Sequence, residues 1–224
     1  MKKILFASLF TMFFVMSYAQ TPRTVTKAEL DSIKMAFPTF RSGFVLFQDG
    51  TRETGALNID CMRQMLQFID TEGNVRDLAN NTSVRNVIFG KTMYVLNGGR
   101  YVEVVTSNDE VLLAVSHTVT LLNSQRKGAM GMTSETTNIQ NAHGTYSDGG
   151  RYVNFGELSD DVRVIVKDWP YIYKGGKLNL ASKRQFIKAF PDKKVFIEDY
   201  LSKTKVDFED LEQVKTFFDA VKAQ

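Results

Sequence analysis

The chain has 224 residues, 43% of them hydrophobic and 24% charged, with 28 basic side chains against 25 acidic ones and a single cysteine. That length supports one large core or two small ones, and one cysteine excludes an intramolecular disulfide. So small a basic surplus gives no electrostatic footprint for a phosphate backbone, which disfavours nucleic acid as a partner.

In chain order, Met1-Lys2-Lys3 is a short positive region, Ile4 to Met16 an almost unbroken apolar run, and Ser17-Tyr18-Ala19 carries small residues where a signal peptidase reads. Residues 1–19 are therefore predicted to be a Sec-type signal peptide. The apolar run is shorter than the roughly 20 residues of a membrane-spanning helix, so the mature chain is expected to start at Gln20. It is then exported to the periplasm or beyond, with no integral membrane segment after cleavage. Gln20 in place of cysteine speaks against a lipid anchor. Cleavage removes two lysines and no acid, bringing the mature charge close to zero.

Residues 20–39 read as an N-terminal segment with a short helix. Thr26-Lys27-Ala28-Glu29 has capping-box spacing, and Leu30, Ile33 and Phe37 follow at helical intervals until Pro38. From Phe40 the period changes to that of strands. Phe44 to Phe47 and Glu53 to Ile59 flank Asp49-Gly50, a tight-turn pair; Met65 to Ile69 and Val75 to Leu78 flank Thr71-Glu72-Gly73-Asn74 in the same way. Val84 to Phe89, Met93 to Leu96, Tyr101 to Val105, Val111 to Leu122, Val162 to Val166 and Trp169 to Tyr173 continue the series. The pattern predicts a β-rich α+β chain whose residues 40–180 form an antiparallel meander, closing as a barrel or sandwich. Residues 123–150 interrupt it with a long polar stretch, predicted to be an exposed, mobile loop. Residues 181–224 turn helical, with Ser182, Asp192 and Asp207 as expected N-caps of three short helices.

No constellation specifies a reaction. Phe89-Gly90-Lys91-Thr92 ends like a phosphate-binding loop, but Arg85 stands where its first glycine belongs, so a strand-connecting turn is expected. Cys61 reads as a small buried hydrophobe rather than a reactive thiol. His117 reads as an ordinary strand histidine, since Ser116 beside it points to the opposite face. His143 and Asp148, in the polar stretch, are the candidates for acid–base chemistry. Glu157 and Asp160-Asp161 read as a solvated turn. Trp169, Tyr171 and Tyr173 alternate onto one face and, with Tyr146, are the candidates for binding; burial against the terminal helices is the simpler reading of that face. No metal ligand set and no cofactor site are predicted.

The segments Asp49-Gly50, Gly55-Ala56-Leu57-Asn58, Met65 to Asp70, Gly73-Asn74-Val75 and Asp77 to Asn80 together resemble exported proteins of Bacteroidetes-type Gram-negative bacteria. Phe186 to Phe190 and Phe196 to Leu201 are similar to C-terminal segments in the same group. The resemblance implies a compartment and carries no functional residue. The expected function is that of an exported cell-envelope protein binding another protein or a glycan. The alternatives are a carboxylate-dependent hydrolase using the polar stretch, and a β-barrel carrier of an apolar ligand.

Overall fold

The computed structural model describes residues 22–108, 110–123, 125–127, 133–135, 146–148, 151–153 and 161–224; the predicted signal peptide, residues 1–19, lies outside them. In chain order the elements are β1 (Arg23–Thr26), α1 (Lys27–Ile33), β2 (Arg41–Phe47), β3 (Arg52–Asp60), β4 (Met65–Ile69), β5 (Val75–Asp77), β6 (Val84–Phe89), β7 (Thr92–Asn97), β8 (Arg100–Asn108) and β9 (Val111–Asn123). The short strands β10 (Gln125–Lys127), β11 (Thr133–Glu135), β12 (Tyr146–Asp148) and β13 (Arg151–Val153) follow. Then come β14 (Asp161–Lys174), β15 (Lys177–Leu180), α2 (Lys183–Ala189), α3 (Lys194–Lys203) and α4 (Leu211–Lys222).

The local signals act as chemistry dictates. Thr26 Oγ1 accepts from Glu29 N at 3.2 Å and opens α1. Ser182 Oγ does the same for Gln185 N at 3.3 Å and opens α2. The β2–β3 hairpin closes through Phe47 N to Thr51 O at 2.9 Å and Gly50 N to Phe47 O at 3.1 Å. The β4–β5 hairpin repeats this with Asp70, Asn74 and Gly73. Both turns place a glycine at φ near +85°, where a side chain would be strained.

One antiparallel sheet of eleven strands results, in the order β1-β14-β9-β8-β7-β6-β2-β3-β4-β5, with β15 pairing β14 as well. It is a single continuous sheet, not closed into a barrel, where a barrel or a sandwich was expected from the turn spacing. The segment after α1 pairs with the end of β3: Met35 bridges Asp60, and Cys61 N donates to Lys34 O at 2.7 Å. Part of the polar stretch is also ordered into ladders, β10 with β11 and β12 with β13.

Register defines two faces. The inner one carries Val45, Val87, Tyr94, Glu103, Val115 and Pro170 in lateral succession. Along it lie three cores. Phe37, Ile59, Leu66, Val87, Phe89 and Tyr94 form one. Val25, Leu30, Met62, Val119, Leu121 and Val164 form another under α1. The third seats the terminal helices: Leu113 and Ile172 of the sheet pack with Phe186, Phe190, Ile197, Phe217 and Phe218. Each such fully buried side chain contributes roughly 1.5–3 kcal/mol by leaving water, so the helical end belongs to the same packed body. On the outer face Val95, Val102 and Ala114 are covered by Tyr171, Tyr173 and Leu178. The β14–β15 hairpin therefore curls over that face, and Asn97 Nδ2 donates to Gly176 O at 2.8 Å to hold it there.

Three expectations are corrected. The two predicted strands around Asp168 are one 14-residue strand through Pro170. Proline is tolerated there because Pro170 O accepts from Ala181 N on the edge of β14 away from β9, so the missing N–H costs no ladder bond with β9. Asp192 does not cap α3, which is entered from a 3₁₀ turn at Pro191–Lys193 with Lys193 at its N-cap position. The cap of α4 is Asp210, whose Oδ1 accepts from Gln213 N at 3.1 Å; Asp207 instead accepts from Glu209 N in the preceding turn.

Candidate functional site

Two places concentrate polar chemistry, one on each face of the sheet. On the inner face a hydrogen-bonded chain crosses four adjacent strands. Tyr94 Oη donates to Glu103 Oε2 at 2.9 Å, the same carboxylate oxygen lies 3.2 Å from His117 Nε2, and His117 Nδ1 lies 2.7 Å from Asp168 Oδ1. The sheet itself creates this line. Tyr94 stands opposite Glu103 on β7 and β8, and His117 opposite Asp168 on β9 and β14.

The cluster sits among the three inner cores with His117 and Glu103 each 31% exposed. Burial lowers the affinity of the imidazole for its proton, but the bonds and charges of Asp168 and Glu103 outweigh it and hold the His117 pKa at about 9. The His117 bond, against the opposing effect of burial, pulls Glu103 below the ordinary carboxylate range. Burial, then the Glu103 charge, pushes the Tyr94 phenol far up. At neutral pH His117 is thus an imidazolium with both N–H groups donated to carboxylates, and it keeps no lone pair for a substrate proton or a metal. Cys61 is buried nearby. Burial and the charges of Asp60, Asp168 and Glu103 push its thiol up to about 12, so at neutral pH it is not a thiolate nucleophile.

The outer face holds a cleft of about 460 Å³ between the sheet and the curled β14–β15 hairpin. Among the residues that line it are Arg85 and Asn86 of β6, Met93 and Val95 of β7, Leu112, Tyr173 and Gln48. Gln48 is fixed, its Nε2 donating to Thr82 O at 3.1 Å. The side chains of Arg85 and Asn86 have no hydrogen-bond or ion-pair partner among the described residues.

Of the residues singled out from sequence, Trp169, Tyr171 and Tyr173 do share a face, but it is the outer one. Ile172, between the tyrosines, faces the helices, so burial against the helices does not explain the aromatic ladder; Tyr171 and Tyr173 pack on the outer cluster instead. Of the three, Tyr173 lines the cleft. Lys167 Nζ lies over the Trp169 ring at 3.5 Å and also pairs with Glu209. His143, Glu157 and Asp160 lie outside the described residues; Tyr146 and Asp148 belong to β12, paired with Val153 and Arg151 of β13. Phe89-Gly90-Lys91-Thr92 is the β6–β7 turn, as expected. Among the described residues no group of three or more potential ligands could hold a metal, and no helix is long and apolar enough to cross a membrane.

Sequence reasoning missed Glu103, Asp168, Arg85 and Asn86. A signal existed for Glu103, a lone charge alternating with Tyr101 on an otherwise apolar strand face. For Arg85 and Asn86 there was none.

No protein-family model, curated protein or solved structure matches the chain.

Proposed function

We propose that the chain is an exported cell-envelope protein that works by binding, with the outer cleft as its contact site and an envelope protein or glycan as its partner. The observation that carries this reading is the contrast between the two faces. The chemically capable groups of the inner face, His117 and Cys61, are held in unreactive protonation states. The cleft, by contrast, presents the unpartnered donors of Arg85 and Asn86 beside the ring of Tyr173, the mixture of few polar groups on an apolar wall that small-molecule sites use. Export rests on the charge, apolar run and small residues of Met1 to Ala19.

The test uses the mature chain from Gln20, immobilised and exposed to envelope extract. A retained component that Arg85→Ala with Tyr173→Ala releases, and that His117→Gln leaves bound, is the expected result. Retention indifferent to the cleft variant, or no retention, overturns the reading. N-terminal mass spectrometry of exported material is expected to begin at Gln20 or its pyroglutamate form.

A further inference from the structure

We propose that the outer cleft takes an acidic oligosaccharide, a chain of uronic-acid type whose carboxylate meets Arg85; this deepens the binding reading above and rests on it. Charge is segregated between the faces of the sheet. On the strands that form its centre, β2, β6, β7, β8, β9 and β14, the acids with described side chains are Glu103 and Asp168, and both lie on the inner face, paired there with His117. The outer face carries cations. Arg52 and Asn86 are both register partners of Leu46 there, and Arg52 stacks at 3.6 Å over Phe44. Arg100, two residues before the outward Val102, reaches to 5.9 Å from the ring of Tyr171. Arg85 lies in the cleft itself, exposed and unpaired. A ligand entering this field gains by being an anion and meets no acid from these strands.

The rest of the lining selects among anions. A guanidinium presents a planar fork that takes a carboxylate through two parallel bonds. Asn86 adds an amide with both donor and acceptor capacity, suited to hydroxyls. Tyr173, packed on Val95 and Leu112, offers a ring whose negative face attracts the C–H hydrogens of a pyranose. A fatty acid would leave Asn86 and the Gln48 edge unsatisfied while its tail lacked an enclosing wall. At about 460 Å³ the space lies within the roughly 300–1,000 Å³ of small-ligand sites. It is lined by side chains from β6, β7, β9 and β14, a rigid scaffold that limits the ordering cost of binding.

Calorimetry of the mature chain with trigalacturonate, trigalactose and hexaglutamate tests this, with the thermal midpoint of each variant recorded. Trigalacturonate is expected to bind, trigalactose to bind about tenfold or more weakly, and binding to fall as salt rises. Arg85→Gln is expected to cost trigalacturonate about tenfold or more, the loss expected for one charge-assisted contact, with an unchanged thermal midpoint because Arg85 is exposed. Tyr173→Leu, which keeps an apolar group on Val95, is expected to weaken it as well. Equal affinity for trigalactose, or preference for hexaglutamate with the same dependence on Arg85, overturns the acidic-sugar assignment while leaving a binding module in place. Silence from all three probes also overturns it; the binding reading itself is decided separately by the envelope retention experiment, and falls when nothing is retained or when retention ignores the cleft variant.

Discussion

His117 and Asp168 are direct register partners on β9 and β14, and their Nδ1 and Oδ1 atoms lie 2.7 Å apart on the inner face. An ion pair held by a strand ladder does not have to recruit its partners from mobile side chains. That lowers the entropic cost which leaves most surface pairs near zero. The pair is extended by Glu103, so three strands are tied by one proton-bearing ring.

The pH dependence follows from the sign of the shift. The His117 pKa is about 9 in the folded chain and about 6.5 when unfolded, so its contribution is full below about 6.5 and disappears as pH rises through 9. Discounted for the partial exposure of Asp168, this amounts to on the order of 2 kcal/mol. Urea midpoints measured from about pH 6 to pH 8, below the range in which an unfolded Cys61 thiol ionises, are expected to fall and to flatten in His117→Gln. A His117 ring that titrates near 6.5 by NMR would contradict the geometry.

Cys61 is expected to be silent toward a thiol reagent in the native state. It is 6% exposed and its pKa stands at about 12, so both access and thiolate are withheld. Labelling followed by mass spectrometry should show modification at pH 7 only once urea unfolds the chain.

Ser116 tests the opposite situation. Its Oγ is fully buried on the outer face and has no hydrogen-bond partner among the described residues. Removing an unsatisfied hydroxyl relieves a desolvation cost, so Ser116→Ala is expected to be neutral or to stabilise by up to about 1 kcal/mol. A loss larger than about 1 kcal/mol in the urea midpoint would show that the hydroxyl has a partner.

Phe217 is the anchor of the helical end. Its ring lies 4.5 Å from that of Phe186 and 5.1 Å from that of Tyr200, and it is fully buried. Phe217→Ala should cost about 3–5 kcal/mol. Because Leu113 and Ile172 share this core, the loss is expected as one cooperative transition in both far- and near-ultraviolet circular dichroism. Separate melting of the helices would refute the shared core.

What the sequence made legible was local. Thr26 and Ser182 act on a backbone N–H three residues away, and Asp49-Gly50 closes a turn between neighbours, so short-range chemistry decides each of them. Asp207 and Asp210 show the limit: both are good capping residues in one turn, and the packing of α4 chooses between them. The inner cluster was out of reach for a different reason. His117 meets Glu103 from 14 residues away and Asp168 from 51, so finding it requires the order and register of three strands. A shift of one residue in either ladder would send the side chains to opposite faces. The cleft depends further on the curl of the β14–β15 hairpin, fixed in part by a single bond from Asn97 to Gly176.

The pairing of β1 with β14 has a kinetic consequence. Arg23 meets Val164 and Thr26 meets Asp161, so the first strand of the sheet cannot find its place until almost the last one exists. On a chain emerging from its N-terminus, β2 to β5 can zip in sequence through short turns, β6 then returns to pair β2, and β7 and β8 follow, while Val25 and Leu30 wait, uncovered. Joining ends so distant costs loop-closure entropy before any contact repays it. Assembly of the α1 core is therefore the slow step, and an apolar N-terminal segment stays open to a chaperone, or to a neighbouring chain, until the strand carrying Pro170 has been made.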